Sequence, residues 1–205
     1  MIAWIRGGAL YLGIVLVVAP AAPLRAQGHH VLLDAGAGSL NPDDPFAATL
    51  TLRGSLGWAL GGHNVLGLEY TRQSANDSEG ADLGKVARHF IGIAWQHAVT
   101  PLANQERMKR QFLIRVGGGL LIRGTFPNAT PGEELKNAAF LDAGFVIRYP
   151  FSARVAAVGT IEDAVGFLPR QKVQSYCDTD PYCVFNTGGR AQHNFGLFVT
   201  LQLRL

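Results

Sequence analysis

Cysteine is almost absent from this 205-residue chain: Cys177 and Cys183 are the only two. That excludes a four-thiolate zinc site, an all-cysteine iron–sulfur cluster and a disulfide-dense scaffold. Charge is also scarce, at 16% of residues, against about 25% in average soluble domains. No basic patch alternates with aromatics, so nothing points to a nucleic-acid partner. The chain also lacks a spanning helix. Its apolar run, residues 7–18, falls short of the ~18–20 residues a spanning helix needs, and Pro20 and Pro23 follow it.

That run reads instead as an export signal. Arg6 supplies the positive start, and Pro20, Pro23 and Ala26 lead to a cleavage site. Cleavage after Ala26 divides the chain into a signal peptide, 1–26, and one domain, 27–205. Leu24 replaces the usual small residue near the cut, so a site a few positions away is the alternative. No cysteine sits there to anchor a lipid. Losing Arg6 and Arg25 lowers the basic count from 18 to 16 against 15 acids, which removes most of the +3 net charge. An exported chain meets an oxidising compartment. Cys177 and Cys183, with Asp180-Pro181 between them, are therefore expected to form a loop disulfide.

What the chain has in plenty is alternation. In the last thirteen residues Phe195, Leu197, Val199, Leu201, Leu203 and Leu205 share one parity. Asn194, Gly196, Thr200, Gln202 and Arg204 share the other, with Phe198 as the apolar exception. A period of two is a strand with one apolar and one polar face. Seven earlier segments repeat the pattern: 30–40, 46–60, 65–72, 85–98, 110–124, 137–149 and 154–167. In the second, Leu50, Leu52, Leu56, Trp58 and Leu60 alternate with Thr51, Arg53, Ser55 and Gly57. Asp163 interrupts the seventh by falling on the apolar parity. Either a bulge shifts the register there or the residue lies near an interface, where an acid costs little. The 25 glycines, many inside these segments, suit a narrow, sharply bent sheet. Connections alternate roughly between tight and long, and the longest spans 168–191. If odd strands run outward, Trp58, Trp95, Phe112 and Tyr149 gather at one end and Tyr70, Phe167 and Phe195 at the other, as two aromatic girdles. The expected fold is all-β: an eight-stranded antiparallel up-and-down transmembrane β-barrel preceded by a cleaved signal peptide.

This pattern, the turn Y-P-F-S-A-R before a strand and the ending together resemble the small eight-stranded outer-membrane barrels, the group that includes the membrane domain of outer membrane protein A. The resemblance covers 27–205. Asn194, Gly196, Val199 and Leu201 are similar to the last-strand signal of that group, which implies recognition by the barrel-assembly machinery. The chain departs from the pattern by ending in Leu205 rather than an aromatic residue, four residues past the motif. A bacterial outer-membrane location and an outer-membrane lipid surround are implied.

The polar parity carries the candidate chemistry. Asp34, Glu69, Asp142 and Glu162 should face the lumen with Arg53, Arg88, Arg115, Arg123, Arg148, Arg154 and Arg204. Eight strands leave an interior that side chains just fill, so these charges should pair into a plug. Arg115, Arg148 or Arg53 is expected to meet Glu69, Asp142 or Glu162. The alternative is a narrow porin-like channel, whose arginine excess would favour anions. Histidines 29, 30, 63 and 97 read as solvated residues at one rim, with a metal site as the lesser alternative; His89 and His193 belong to the other rim. A lipid-modifying enzyme is a third reading, but Ser39 and Ser55 lack a histidine neighbour in the sequence pattern. No cofactor is implied. The reading is a non-catalytic integral outer-membrane barrel with a structural or surface-interaction role, its long loops available to an extracellular partner.

Overall fold

Strand alternation gives each segment one apolar face, and a sheet closed on itself separates the two faces completely. The computed structural model describes residues 30–42, 49–60, 63–76, 85–99, 110–124, 136–169, 171–175, 183–187 and 191–205. Its strands are β1 (Val31–Pro42), β2 (Thr49–Leu60), β3 (Asn64–Asn76), β4 (Lys85–Ala98), β5 (Gln111–Arg123), β6 (Ala138–Pro150), β7 (Val155–Phe167), β8 (Gln171–Ser175), β9 (Cys183–Thr187), β10 (Ala191–Gln192) and β11 (Asn194–Arg204). Strands β1 to β7 pair in sequence, and β11 pairs with both β7 and β1, all antiparallel. The result is a closed, eight-stranded, up-and-down barrel. Closure leaves no unpaired edge among the long strands.

One rim holds the start of β1 and the end of β11; we call it the terminal rim. The other, the loop rim, carries the longer connections. At the terminal rim the β6–β7 turn is tight: Ser152 Oγ accepts from the amides of Arg154 (3.2 Å) and Val155 (3.1 Å). Leu205 N donates to Val31 O at 2.9 Å beside the β1–β11 seam. At the loop rim β8 and β9 form a separate hairpin, with Ser175 opposite Cys183. Sequence periodicity did not anticipate this hairpin, because five-residue strands carry too little alternation. The expected Cys177–Cys183 bridge involves Cys177, which lies outside the described residues, as does the proposed signal segment 1–26.

The faces sort as the parity predicts. Leu50 (74% exposed), Leu52, Ile91, Ile93, Leu197 and Val199 (65%) all point outward. Large apolar side chains project from the outer face of all eight barrel strands. A soluble lipocalin-like barrel would bury them instead. Asp163 stays in uninterrupted register, opposite Ala143 on β6 and Phe195 on β11. There is no bulge. Its carboxylate instead accepts from Asn194 N (3.3 Å) and lies 2.7 Å from His193 Nδ1 on the outer wall. Strand β3 runs four residues past its expected end, which moves Tyr70 to mid-strand. There its hydroxyl lies 2.8 Å from His89 Nδ1.

Phe198, the exception to alternation, is fully buried in the lumen. It sits directly opposite Gly38 across the seam. A Cβ built on Gly38 would come within 2.5 Å of the ring, and one on Gly196 equally close. The two hydrogen side chains make a notch for one ring.

Candidate functional site

The interior is filled in layers. Leu32, Val65, Ala98, Leu113, Val146 and Val158 form an apolar cluster toward the terminal rim. Leu40, Phe90, Leu121, Phe140 and Phe198, with three further residues, form another toward the loop rim. Between them lies an ion cluster. Arg115 is its hub: it pairs with Glu69, and its Nε lies 3.0 Å from both Asp142 Oδ1 and Glu162 Oε2. Those two Nε approaches attract ionically but are out of line for directed hydrogen bonds, so Arg115 Nε and Asp142 Oδ1 count as unsatisfied. Arg53 grips Glu162 with both terminal nitrogens, one at 2.8 Å, and donates Nε to Thr71 Oγ1 at 3.0 Å. Its guanidinium also lies 3.6 Å over the Phe198 ring. A planar, always-charged fork suits this bidentate and stacked position, which a lysine would not reproduce.

Backbone geometry explains how such distant residues meet. Gly144 stands opposite Arg115 on β5 and opposite Glu162 on β7. With no side chain there, Arg115 reaches across β6 to Glu162. An added Cβ would fall 2.8 Å from both Glu162 Cα and Cβ. Two small cavities, each about 20 Å³, flank the cluster and share Arg53, Glu69 and Arg115 in their walls. Each has room for roughly one water.

The remaining charges leave the centre. Asp34 accepts from Ser55 Oγ at 2.8 Å and sits opposite Gln202. Arg148 donates to Gln111 Oε1 at 2.9 Å rather than meeting a cluster carboxylate. Toward the loop rim, Arg88 is fully buried and donates to Gln73 Oε1 (3.0 Å), Gln192 Oε1 (3.1 Å) and Asn194 Oδ1 (3.0 Å). Arg123 donates Nε to Lys136 O at 2.7 Å. Arg204 ends β11 at the terminal rim. Arg154 is not in the lumen: β7 starts one residue later, and Arg154 is exposed in the turn. The arginine excess inferred from sequence is thus spread toward the rims. In the central cluster two arginines face three carboxylates, which reverses the charge sign expected for the constriction.

Of the last-strand signal residues, Val199 and Leu201 face outward and Gly196 borders the Phe198 ring. Asn194 is buried and donates Nδ2 to Ala164 O (2.8 Å) and Gln192 O (3.0 Å) while accepting from Arg88. The amides Gln73, Gln111 and Gln192 were not singled out in the sequence. Inward parity on β5 was the available signal for Gln111, whereas Gln73 lies past the expected end of β3. Neither Ser39 nor Ser55 contacts a histidine among the described residues.

Neither a protein-family model nor a curated protein matches the sequence. Among solved structures, the chain is similar to Neisserial surface protein A at 12% identity and TM-score 0.58, over 87% of this chain and 98% of that one. It also matches a de novo designed transmembrane β-barrel (9% identity, TM-score 0.42, 88% and 98% covered). A third match is a major outer membrane protein of Thermus thermophilus (13%, 0.47, 87% and 100%). At such identity the first of these shows the fold alone, a closed eight-stranded antiparallel up-and-down β-barrel.

Proposed function

We propose that the protein is an integral bacterial outer-membrane barrel whose lumen is closed and whose role is structural or surface-interacting, without catalysis. One observation carries the reading: an apolar outer wall surrounds an ion cluster that is capped on both sides by apolar layers. Lipid would cover the wall, since charge on the lipid face is costly. The capped cluster would block ions, because a dry apolar constriction opposes their passage. Refolded protein in a planar bilayer should give no steady current. Persistent steps would favour the narrow-channel reading. In that case the carboxylate majority at the centre makes cation preference the expected sign.

The β8–β9 hairpin is the natural surface for an external partner, because a rigid scaffold holds it at the loop rim. We expect Cys177 and Cys183 to be bridged there. A short closed loop contributes less than the ~3 kcal/mol of a fifteen-residue one, so the barrel should survive reduction. Alkylation of denatured protein, with and without reductant, followed by mass measurement, should show two thiols only after reduction. Two free thiols in unreduced, exported protein would refute the bridge.

A further inference from the structure

Three rings stand in a row at the terminal rim. Trp95 and His97, both on β4, have centres 5.5 Å apart at 24°. His97 and His63, the residue before β3, are 5.7 Å apart at 20°. An aromatic girdle accounts for the tryptophan. It does not account for how the imidazoles are held.

His63 Nδ1 lies 2.8 Å from Ala98 O. A carbonyl oxygen only accepts, so this nitrogen carries the proton. His97 Nδ1 lies 3.0 Å from Asn64 Oδ1, which sets the same tautomer. Both lone pairs are therefore on Nε2, and neither Nε2 has a partner among the described residues. The backbone is fixed as well: Asn64 pairs with His97, and Ala98 N donates to His63 O at 2.6 Å.

Metal-binding imidazoles are prepared in this way, with the second nitrogen donating to an oxygen that fixes tautomer and orientation. Two imidazoles bound at ~2.0–2.1 Å to one tetrahedral ion put their ring centres roughly 5 Å apart. The rings stand 5.7 Å apart and 20° from parallel, so binding one ion requires them to turn until both Nε2 lone pairs point at it. We propose that His63 and His97 form a site for a divalent first-row transition-metal ion, each binding through Nε2, with water completing the coordination. Imidazole nitrogen selects Cu²⁺, Ni²⁺ and Zn²⁺ over Mg²⁺ and Ca²⁺.

Trp95 gives the readout. In membrane-purified, untagged protein carrying Trp58→Phe, Cu²⁺ or Ni²⁺ is titrated against tryptophan fluorescence. The expected quench is saturable, reversed by chelator, displaced by Zn²⁺ and untouched by Mg²⁺. His63→Ala and His97→Gln should each weaken it at least tenfold. His89→Gln, toward the opposite rim, should leave it unchanged. Gel mobility before and after heating checks that each variant is folded, and if one fails to fold the other decides. A quench that never saturates, or that survives loss of either histidine, overturns the proposal and places the ion elsewhere.

Discussion

Arg115→Gln should lower the unfolding free energy of the barrel by about 3–5 kcal/mol, the range for removing one partner of a dry buried ion pair. Arg115 is 3% exposed and faces Glu69, Asp142 and Glu162. Without it, Arg53 alone opposes three carboxylates, and Arg53 is already committed to Glu162. Urea unfolding in lipid vesicles, followed by gel mobility, measures the loss. Adding Asp142→Asn to Arg115→Gln should recover part of it, because one uncompensated charge is removed. A double variant no more stable than Arg115→Gln alone, or a loss under ~1 kcal/mol, would mean a wet, screened cluster.

Phe198→Ala should cost a similar amount, about 3–5 kcal/mol, the usual range for truncating a buried phenylalanine. The ring fills the notch over Gly38 and Gly196 and packs against Arg53. Its loss has a second consequence that a purely structural residue elsewhere would not share. The loop-side apolar layer is breached beside the ion cluster, so water gains access. Brief conductance steps are expected in the variant and not in the parent. Phe198→Leu, which keeps most of the volume, should stay silent. Silence from Phe198→Ala in folded protein would show that the seal lies elsewhere.

The outer wall was legible in the sequence because outward-facing residues need only parity. Leu50, Ile93 and Leu197 are on the expected face for that reason alone. The extension of β3 was not legible. Residues 73–76 look like loop, and only Arg88 reaching Gln73 shows why a buried glutamine is tolerated there. The strand edge misplaced Arg154 by one residue. Periodicity showed which charges face inward but not which ones meet. Arg53 and Glu162 are 109 positions apart, and their contact depends on the stagger between strands, which no single strand encodes. Arg148 illustrates the same limit, since its in-register neighbour Gln111 is nearer than any carboxylate of the cluster.

The seam between β1 and β11 is the one junction that the chain cannot zip from a neighbouring turn. It joins segments from the two ends of the domain. A slip of two residues there would keep every leucine outside and every polar group inside, so parity cannot reject it. Phe198 can. It rejects one of the two slips: moved that way its ring meets Leu40, already packed in the loop-side layer, whereas moved the other way it faces Gly36, which has no side chain either. One bulky side chain and one missing side chain thus act as a key and its ward. They check alignment at the last join, at the moment when the hydrophobic pattern has no information left to give.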